Sequence, residues 1–294
     1  MAEPAIPGSP SSVSSAPTAL LAPDLLRGKR VLVTGGGSGL GLAMATRFAQ
    51  LGATPVLCGR GQEVLVAAAA GLAMPAEVEV CDLRDADQVE RMFERIWQRG
   101  PLDVLVNNAA ATFIAQTERL SARALDAILG PTLHGAAYCT LAAGRRWIDA
   151  GRRGCVLSIL STSVRTGRAF TVPSAMAKSG LQAMTRSLAV EWGPRGIRLV
   201  AIAPGSFPTE ATQRQLMPQA RRNGADVARR VPLGRHGQPA ELAELAAFLI
   251  SDGALYINGE TVAIDGGAHL RSSGAEDLLD WDEARWEEHR RQRP

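Results

Sequence analysis

The chain has 294 residues, enough for one large α/β domain or two small ones. Its 46% hydrophobic and 21% charged residues are typical of a soluble globular protein. A net charge of +3 and an aromatic content of 4% argue against nucleic-acid binding, which uses basic surfaces and aromatic side chains for base stacking. No apolar run of about 18 residues, the length that a membrane span needs, occurs in the sequence.

Cysteine and histidine spacing gives no sign of a metal site. The four cysteines are scattered without a CxxC pair, which favours reduced core residues: Cys58, Cys81, Cys139 and Cys155. The four histidines show no metal-ligand spacing either, so no metal is expected. Residues 1–24 lack a basic segment followed by an apolar core, and we interpret them as a disordered leader rich in Pro and Ser. A cytoplasmic location is the default expectation.

A glycine cluster follows the first predicted strand, residues 30–34 (RVLVT). Apolar residues then recur at helical spacing from Leu40 to Leu51. Strand, glycine loop and helix are typical of the start of a dinucleotide-binding fold. Glycines let the backbone approach a pyrophosphate, and the helix N-terminus offers free N–H groups. We predict that a cofactor is bound by Gly35, Gly36, Gly37, Ser38, Gly39 and Leu40.

The second predicted strand, residues 54–58, ends next to Gly59 and Arg60. At this place an acidic residue commonly binds the ribose 2′-OH of NAD, whereas an arginine accommodates the 2′-phosphate of NADP. No carboxylate follows before Glu63, and the guanidinium of Arg60 can form paired hydrogen bonds with a phosphate. The pattern favours NADP(H), while an ordinary solvated loop arginine is the alternative reading of Arg60.

Strands and helices alternate along the rest of the chain. Further strands are predicted at residues 77–81, 103–106, 155–160, 198–202 and 261–264, with a helical stretch at about 123–150. Such alternation predicts an α/β fold, a single doubly wound parallel sheet of Rossmann type with helices on both faces, over residues 25–294. A polar segment at about 206–238 is a candidate substrate lid, and a tail with two tryptophans ends the chain.

Residues 159–192 bring several hydroxyls and a lysine together. Ser161 and Ser163 follow the fifth predicted strand, while Ser174 and Lys178 are four residues apart and share a helix face. Ligands bind at the carboxyl ends of the strands in such sheets. This position favours a cofactor residue over a solvated surface lysine at 178.

From about Leu25 onward the sequence resembles the short-chain dehydrogenase/reductase family. The matching signals are TGGGSGLG from Thr34, Asp82-Leu83, NNAA from Asn107, Ser161, Lys178 and Pro204-Gly205. Other segments are similar to the 2,4-dienoyl-CoA reductase branch: NNAAATFIAQTERLS from Asn107, VPSAMAKSG from Val172, AVEWGPRGIR from Ala189, INGE from Ile257 and IDGG from Ile264.

The resemblance implies a reaction of fatty acid metabolism. NADPH would deliver hydride to the far end of a conjugated dienoyl thioester, and the dienolate would then be protonated. Lys178 would bind the nicotinamide ribose and lower nearby hydroxyl pKa values by its charge. Further cofactor contacts are implied for Arg60, Asp82, Leu83, Asn107, Pro204, Gly205, Ser206 and Phe207, and substrate contacts for Phe113, Ser121 and Arg214.

The chain departs from the branch where a proton donor is expected. The tyrosine of the branch falls at Ser163 and its active-site asparagine at Thr112, while Ser174 stands where most of the family has tyrosine. A serine hydroxyl is a poorer acid than a phenol, whose pKa is about 10. Ser161, Ser163, Ser174 and Thr112 can still donate hydrogen bonds to an oxyanion. The candidate proton sources are a water held by these residues and His134.

Three functions therefore stay open: a reductase of conjugated thioesters, a carbonyl or imine reductase of specialised metabolism, and a cofactor-binding pseudoenzyme. A small-molecule substrate is expected, with an acyl-CoA as one candidate. The small residues Gly180, Ala183 and Ser187 lie on the helix through which the family commonly dimerises. The resemblance thus implies a homo-oligomer, either a dimer or a tetramer.

Overall fold

The computed structural model describes residues 21–209, 231–271, 278 and 281–292. Most of the predicted leader (residues 1–20) and the middle of the candidate lid (residues 210–230) lie outside the described residues. Arg214 lies there as well, so the structure gives no position for this predicted substrate contact.

Seven parallel strands form one sheet in the order β3-β2-β1-β4-β5-β6-β7. The strands are β1 (Arg30–Thr34), β2 (Thr54–Gly59), β3 (Glu77–Val80), β4 (Val104–Asn107), β5 (Gly154–Ile159), β6 (Ile197–Pro204) and β7 (Thr261–Ile264). The predicted doubly wound parallel sheet is confirmed, and the predicted strand ends differ from the observed ones by at most two residues. The strand order reverses between β1 and β4, so a crevice for a ligand is expected there.

Helices cover both faces of this sheet. They are α1 (Gly39–Gln50), α2 (Gln62–Ala70), α3 (Ala86–Gln98), α4 (Ala122–Leu129), α5 (Gly135–Asp149), α6 (Ser163–Thr166), α7 (Val172–Trp192), α8 (Pro239–Ile250) and α9 (Glu283–Arg291). Side chains alternate across each strand, so Val31 and Val33 pack with α1 and α8, while Leu32 packs with α3 and α5. All four cysteines are free and buried, in agreement with the expectation of core residues.

The helical stretch predicted at residues 123–150 is not continuous. A π-helical turn, Gly130–His134, separates α4 from α5 and contains Pro131 near its start. Proline has no N–H group for the helical ladder, and π-helical turns are frequent at functional sites. The buried Thr132 fixes this turn, because its Oγ1 accepts a hydrogen bond (3.0 Å) from the backbone N–H of Ala111.

The three small residues of α7 that were proposed for dimerisation do not share one exposed surface. Gly180 faces the π-helical turn, since a Cβ added to it would lie 2.9 Å from a side-chain carbon of Leu133. Ala183 and Ser187 are exposed. Gly180 therefore serves packing within the chain, and only the other two residues of the predicted stripe are free to meet a partner.

Among the described helices, none has both the length and the apolar composition needed to cross a membrane.

Candidate active site

A cavity of about 620 Å³ lies at the carboxyl ends of the strands. Its walls are the loops that follow β1 through β6, so it spans the point at which the strand order reverses. One end is formed by residues after β2 and β3, and the other by residues after β5 together with α6 and α7. Such an elongated crevice suits a dinucleotide lying across the sheet.

Some glycines in the loop after β1 and at the start of α1 leave no room for a side chain. Gly35 and Gly39 have positive φ values of 66° and 55°, which favour glycine. A Cβ on Gly41 would lie 2.3 Å from the carbonyl oxygen of Gly35 and 2.6 Å from Nδ2 of Asn108. The described contacts of Ser38 at the N-cap include no side-chain hydrogen bond to the helix, which leaves N–H groups of α1 for a phosphate. The loop thus fits a pyrophosphate.

The residues predicted for this loop do not all face the cavity. Gly35, Gly37, Ser38, Gly39 and Leu40 line it. Gly36 instead lies against the strands, where an added Cβ would be 2.9 Å from the carbonyl oxygen of Val33.

Two arginines border the cavity at the ends of β2 and β3. Arg60, Asp82 and Leu83, the predicted cofactor contacts, line this end, and the structure adds Arg84, which sequence reasoning missed. The guanidinium of Arg84 donates to Asp82 (Nε–Oδ1, 2.9 Å) and lowers the pKa of that carboxyl, and the charge of Arg60 contributes. Both arginines are exposed. The signal in the sequence was a basic residue two positions after Asp82.

The two consecutive asparagines at the end of β4 have different surroundings. Asn107, predicted as a cofactor contact, is buried, and its Nδ2 donates to Thr140 Oγ1 of α5 (2.9 Å). Asn108 lines the cavity, and its Nδ2 donates to the carbonyl oxygen of Thr34 (2.9 Å). Neighbouring side chains of a strand point to opposite faces, which explains the difference. Asn108 therefore replaces Asn107 as the residue at the cavity.

Lys178 reaches the end of β5 from the second turn of α7. Its Nζ donates to the carbonyl oxygen of Ile159 at 2.5 Å, and the residue is only 6% exposed. Burial lowers the pKa of Lys178 from 10.5 to about 8. The lysine lines the cavity one turn after Ser174, so the helix brings both side chains to the same end of the site, as predicted.

The hydroxyls predicted for the site meet at this end of the cavity. Ser161, Ser163, Ser174 and Thr112 all line it. Ser163 Oγ donates to Ser161 Oγ at 3.2 Å, and the backbone N–H of Ser163 donates to the same oxygen at 3.3 Å. These groups can hold a water or donate to a substrate oxygen, but a Ser or Thr hydroxyl is a weak acid.

Two further residues at this end were not predicted. Arg168 and Thr171 both line the cavity from the segment that joins α6 to α7. Nothing in the sequence pattern separated Arg168 from an ordinary surface arginine, because its direction depends on the path of this short segment.

The loop after β6 closes the cavity from the other side. Pro204, Gly205 and Phe207, which were predicted to contact the cofactor, line it. A Cβ on Gly205 would lie 2.4 Å from Cβ of Asp265, so the loop passes against the end of β7. Ser206 does not line the cavity, and its Oγ forms a hydrogen bond with Nδ1 of His236 at 2.9 Å.

Three other predicted residues do not line this cavity. Ser121 is the N-cap of α4, where its Oγ accepts a hydrogen bond from the backbone N–H of Ala124 (3.2 Å). Phe113 is half-buried outside the lining. His134 is exposed, with its ring centre 6.4 Å from that of Tyr138. The structure therefore does not bring His134 to the site as a proton source.

Comparisons with known proteins match the chain over most of its length. The sequence model of the family described as Enoyl-(Acyl carrier protein) reductase matches residues 35–269. A "Probable 2,4-dienoyl-CoA reductase" of Bacillus subtilis is 40% identical over 247 residues, covering 82% of this chain and 97% of its own length. A "Probable 2,4-dienoyl-CoA reductase 3" of Caenorhabditis elegans is 37% identical over 279 residues, covering 91% of this chain and 90% of its own length.

Solved structures agree with these sequence relatives. A short chain dehydrogenase from Bacillus anthracis has a TM-score of 0.76 at 40% identity, covering 84% of this chain and 98% of that one. A gluconate 5-dehydrogenase from Burkholderia cenocepacia, in complex with NADP and tartrate, has a TM-score of 0.78 at 30% identity, covering 85% and 99%. The likeness to these structures thus extends over more than four fifths of this chain.

Proposed function

We propose that this chain, which belongs to the short-chain dehydrogenase/reductase family, is an NADPH-dependent reductase of a conjugated enoyl or dienoyl thioester. The observation that carries the proposal is the set of residues at one end of the cavity, the end formed after β5 and by α6 and α7, which we call the catalytic end. It combines a buried lysine with several hydroxyls, and no tyrosine is among the described residues that line it. The chain has two tyrosines, Tyr138 in α5 and the exposed Tyr256, and neither lines the cavity.

We prefer NADPH over NADH because two arginines lie at the end of the cavity formed after β2 and β3, where the adenosine of the cofactor would bind. Arg60 and Arg84 border the cavity beside Asp82, whose charge is matched by Arg84. A second arginine at this point leaves positive charge for a 2′-phosphate, which a guanidinium binds through paired hydrogen bonds. The glycine cradle supports a dinucleotide, and bound NADPH would supply the hydride. Lys178 would hold the ribose at the other end.

The missing phenol favours a conjugated thioester over a simple ketone. Reduction of a ketone gives an alkoxide that needs a proton at once, whereas reduction of a conjugated thioester gives a delocalised enolate. Donors aimed at the thioester oxygen, such as Ser161, Ser163 and Thr112, can each contribute about 3 kcal/mol to its stabilisation. The positive charge of Lys178 favours the same anion. A water held by these hydroxyls would then protonate carbon.

A rate measurement tests this function. NADPH oxidation is followed by absorbance with hexa-2,4-dienoyl-CoA, a set of other dienoyl and enoyl thioesters, and cyclic ketones. Turnover of thioesters but not of ketones is expected, with NADH as the poorer reductant. Turnover of ketones alone would favour the carbonyl reductase instead. Binding of NADPH without turnover of any thioester would contradict the proposal.

The replaced residues also support a second candidate, a cofactor-binding pseudoenzyme. Ser163 and Thr112 stand where the dienoyl-CoA reductases have tyrosine and asparagine, and both line the cavity. The double variant Ser163→Tyr with Thr112→Asn separates the two candidates. An inert native protein whose double variant gains reductase activity would identify a scaffold that has lost catalysis. A native protein that is already active rejects this candidate.

A further inference from the structure

The donor Ser163 lies on a helix that is too short to hold its own position. α6 has four residues, Ser163–Thr166, and a single helical turn is not stable by itself in water. Val164 packs against a core cluster, and the backbone N–H of Thr162 donates to the carbonyl oxygen of Pro204 at 3.2 Å. The place of Ser163 in the cavity therefore depends on contacts between α6 and the rest of the fold.

Arg165 fastens α6 to the region around β7, the edge strand of the sheet. Its Nη2 donates to the carbonyl oxygen of Thr261 in β7 at 2.7 Å, and its Nη1 lies 3.4 Å from Nε2 of His269. These partners are 96 and 104 residues further along the chain. The side chain of Arg165 thus joins the short helix to a distant part of the fold.

The ring of His269 is oriented in turn by Asp265. Nδ1 of His269 lies 2.8 Å from Oδ2 of Asp265, and the carboxylate also accepts from the backbone N–H groups of His269 (2.7 Å) and Gly267 (3.0 Å). The side chain of Asp265 is 3% exposed. Burial raises the pKa of Asp265, but the hydrogen bonds from His269 and Gly267 outweigh it and lower the pKa. The group is therefore a carboxylate, which can only accept.

The two neighbours of His269 select one tautomer of its ring. A carboxylate accepts hydrogen bonds and a guanidinium donates them. Both contacts are satisfied when Nδ1 carries the proton for Asp265 and Nε2 accepts from Arg165. His269 thus transmits the fixed position of a buried carboxylate to the side chain that holds α6.

Asp265 also packs against the loop that follows β6. A Cβ added to Gly205, which lines the cavity, would lie 2.4 Å from Cβ of Asp265. The chain of contacts from Asp265 through His269 to Arg165 therefore links two walls of the cavity, the predicted cofactor loop and the helix that carries Ser163.

We propose that Asp265, His269 and Arg165 position Ser163 for the reaction, with Nε2 of His269 as the acceptor that fixes Arg165. The inference rests on the proposed function, in which Ser163 stabilises the anion formed by hydride transfer. None of the three residues lines the cavity, so they are positioning residues. A donor stabilises an anion fully only when it is held in the right place beforehand, which is what this chain of contacts supplies.

Two substitutions of His269 test the role of its acceptor. Glutamine places its amide oxygen near the position of Nε2 and can accept from Arg165, whereas asparagine reaches only Asp265. With NADPH and hexa-2,4-dienoyl-CoA, His269→Asn should lower the single-turnover rate about three- to tenfold, the range expected for one hydrogen bond. His269→Gln should stay within about twofold of the native rate. His134→Asn changes an exposed histidine outside the lining and is the matched control, for which no change is expected.

The effect should also depend on Ser163. Ser163→Ala should itself lower the single-turnover rate, and adding His269→Asn to it should lower the rate less than about twofold further, because the group to be positioned is then absent. The affinity for NADPH, measured by titration, should be the same in all of these proteins.

Three results would overturn the proposal. An equal loss in His269→Gln and His269→Asn would mean that the acceptor is not what matters. A loss from His269→Asn that is just as large in the Ser163→Ala background would mean that the residue supports the fold and not the donor. A weaker affinity for NADPH in His269→Asn would assign these contacts to the cofactor loop.

Hydrogen exchange keeps the test independent of turnover. If the native protein reduces no thioester, the proposed reductase function fails, and amide exchange in a peptide that contains residues 163–167 is measured by mass spectrometry. Faster exchange in His269→Asn than in the native protein and in His269→Gln would still support the positioning of Ser163. Equal exchange in all three proteins would reject it.

Discussion

Replacing Lys178 with methionine should stabilise the cofactor-free protein at pH 7 and abolish its activity. The side chain is 6% exposed and donates one hydrogen bond, to the carbonyl oxygen of Ile159. Burial of its charge lowers the pKa from 10.5 to about 8. Methionine has a similar length and carries no charge, so it removes the desolvation cost together with the group that would hold the cofactor ribose.

The pKa shift sets the size of the effect. A shift from 10.5 to about 8 corresponds to about 3 kcal/mol, at 1.36 kcal/mol per pKa unit. The carbonyl oxygen of Ile159 loses its donor in the variant, which costs about 1 kcal/mol. Lys178→Met should therefore stabilise the protein by about 2 kcal/mol, or raise its Tm by about 5 °C.

Because the pKa of Lys178 is lowered in the folded protein, the stability difference between the native protein and the variant should depend on pH. Between about pH 8 and 10.5 the unfolded chain binds more protons at Lys178 than the folded one, so the native protein gains stability as the pH rises. The full cost of burying the charge applies below pH 8. The advantage of the variant should accordingly be greatest at pH 7 and shrink by about 2 kcal/mol at pH 9.5.

Thermal unfolding of both proteins across this pH range is the assay. The chain has two lysines, and Lys29→Met is the matched control because Lys29 is only half-buried and forms an ion pair with Asp252 (2.9 Å). The control should show neither the increase in Tm nor its loss at high pH. A Lys178→Met protein that is less stable than the native one at pH 7, or a stability difference that does not vary with pH, would refute the reasoning.

Three other substitutions test the cofactor site. Gly41→Ala should weaken NADPH binding at least about tenfold, because its Cβ would lie 2.3 Å from the carbonyl oxygen of Gly35. The affinity is measured by titrating the protein with NADPH. Gly61→Ala is the control, because the nearest atom to its Cβ would be 3.7 Å away. Arg60→Gln should lower the NADPH-to-NADH ratio of kcat/KM by about 10- to 100-fold, and an unchanged ratio would contradict the assignment to the 2′-phosphate. Arg84→Gln should lower the same ratio less, because part of its charge is matched by Asp82.

The fold was predictable because its signals are repeated and local. Most of the strands are largely apolar runs, and the glycine cluster follows the first of them where the backbone has no room for a side chain, as at Gly41. Several hydroxyls and Lys178 were found for a related reason: they lie at fixed distances from strand ends and on one face of a helix. Spacing along the chain converts directly into position in these cases.

The cavity-lining residues that were not predicted depend on three-dimensional geometry, which the spacing of residues along the sequence does not determine. Asn107 and Asn108 are adjacent and identical in type, and the phase of β4 decides which one lines the cavity. Arg84 and Arg168 lie in loops, where an arginine is ordinary and its direction follows from tertiary packing. The π-helical turn had a local signal in Pro131, but a proline in a helix predicts a break or a kink without distinguishing them.

The arrangement of charge explains how a reductase site can work without its usual phenol. A phenol acts as an acid, and its loss matters most where the product anion must be protonated at once. Lys178 supplies positive charge at one end of the cavity, and Ser163 and Ser161, which line the same end, form a hydrogen-bonded pair. Fixed charges and donors lower the energy of an anion without transferring a proton. The site is therefore suited to a reaction whose anion is delocalised.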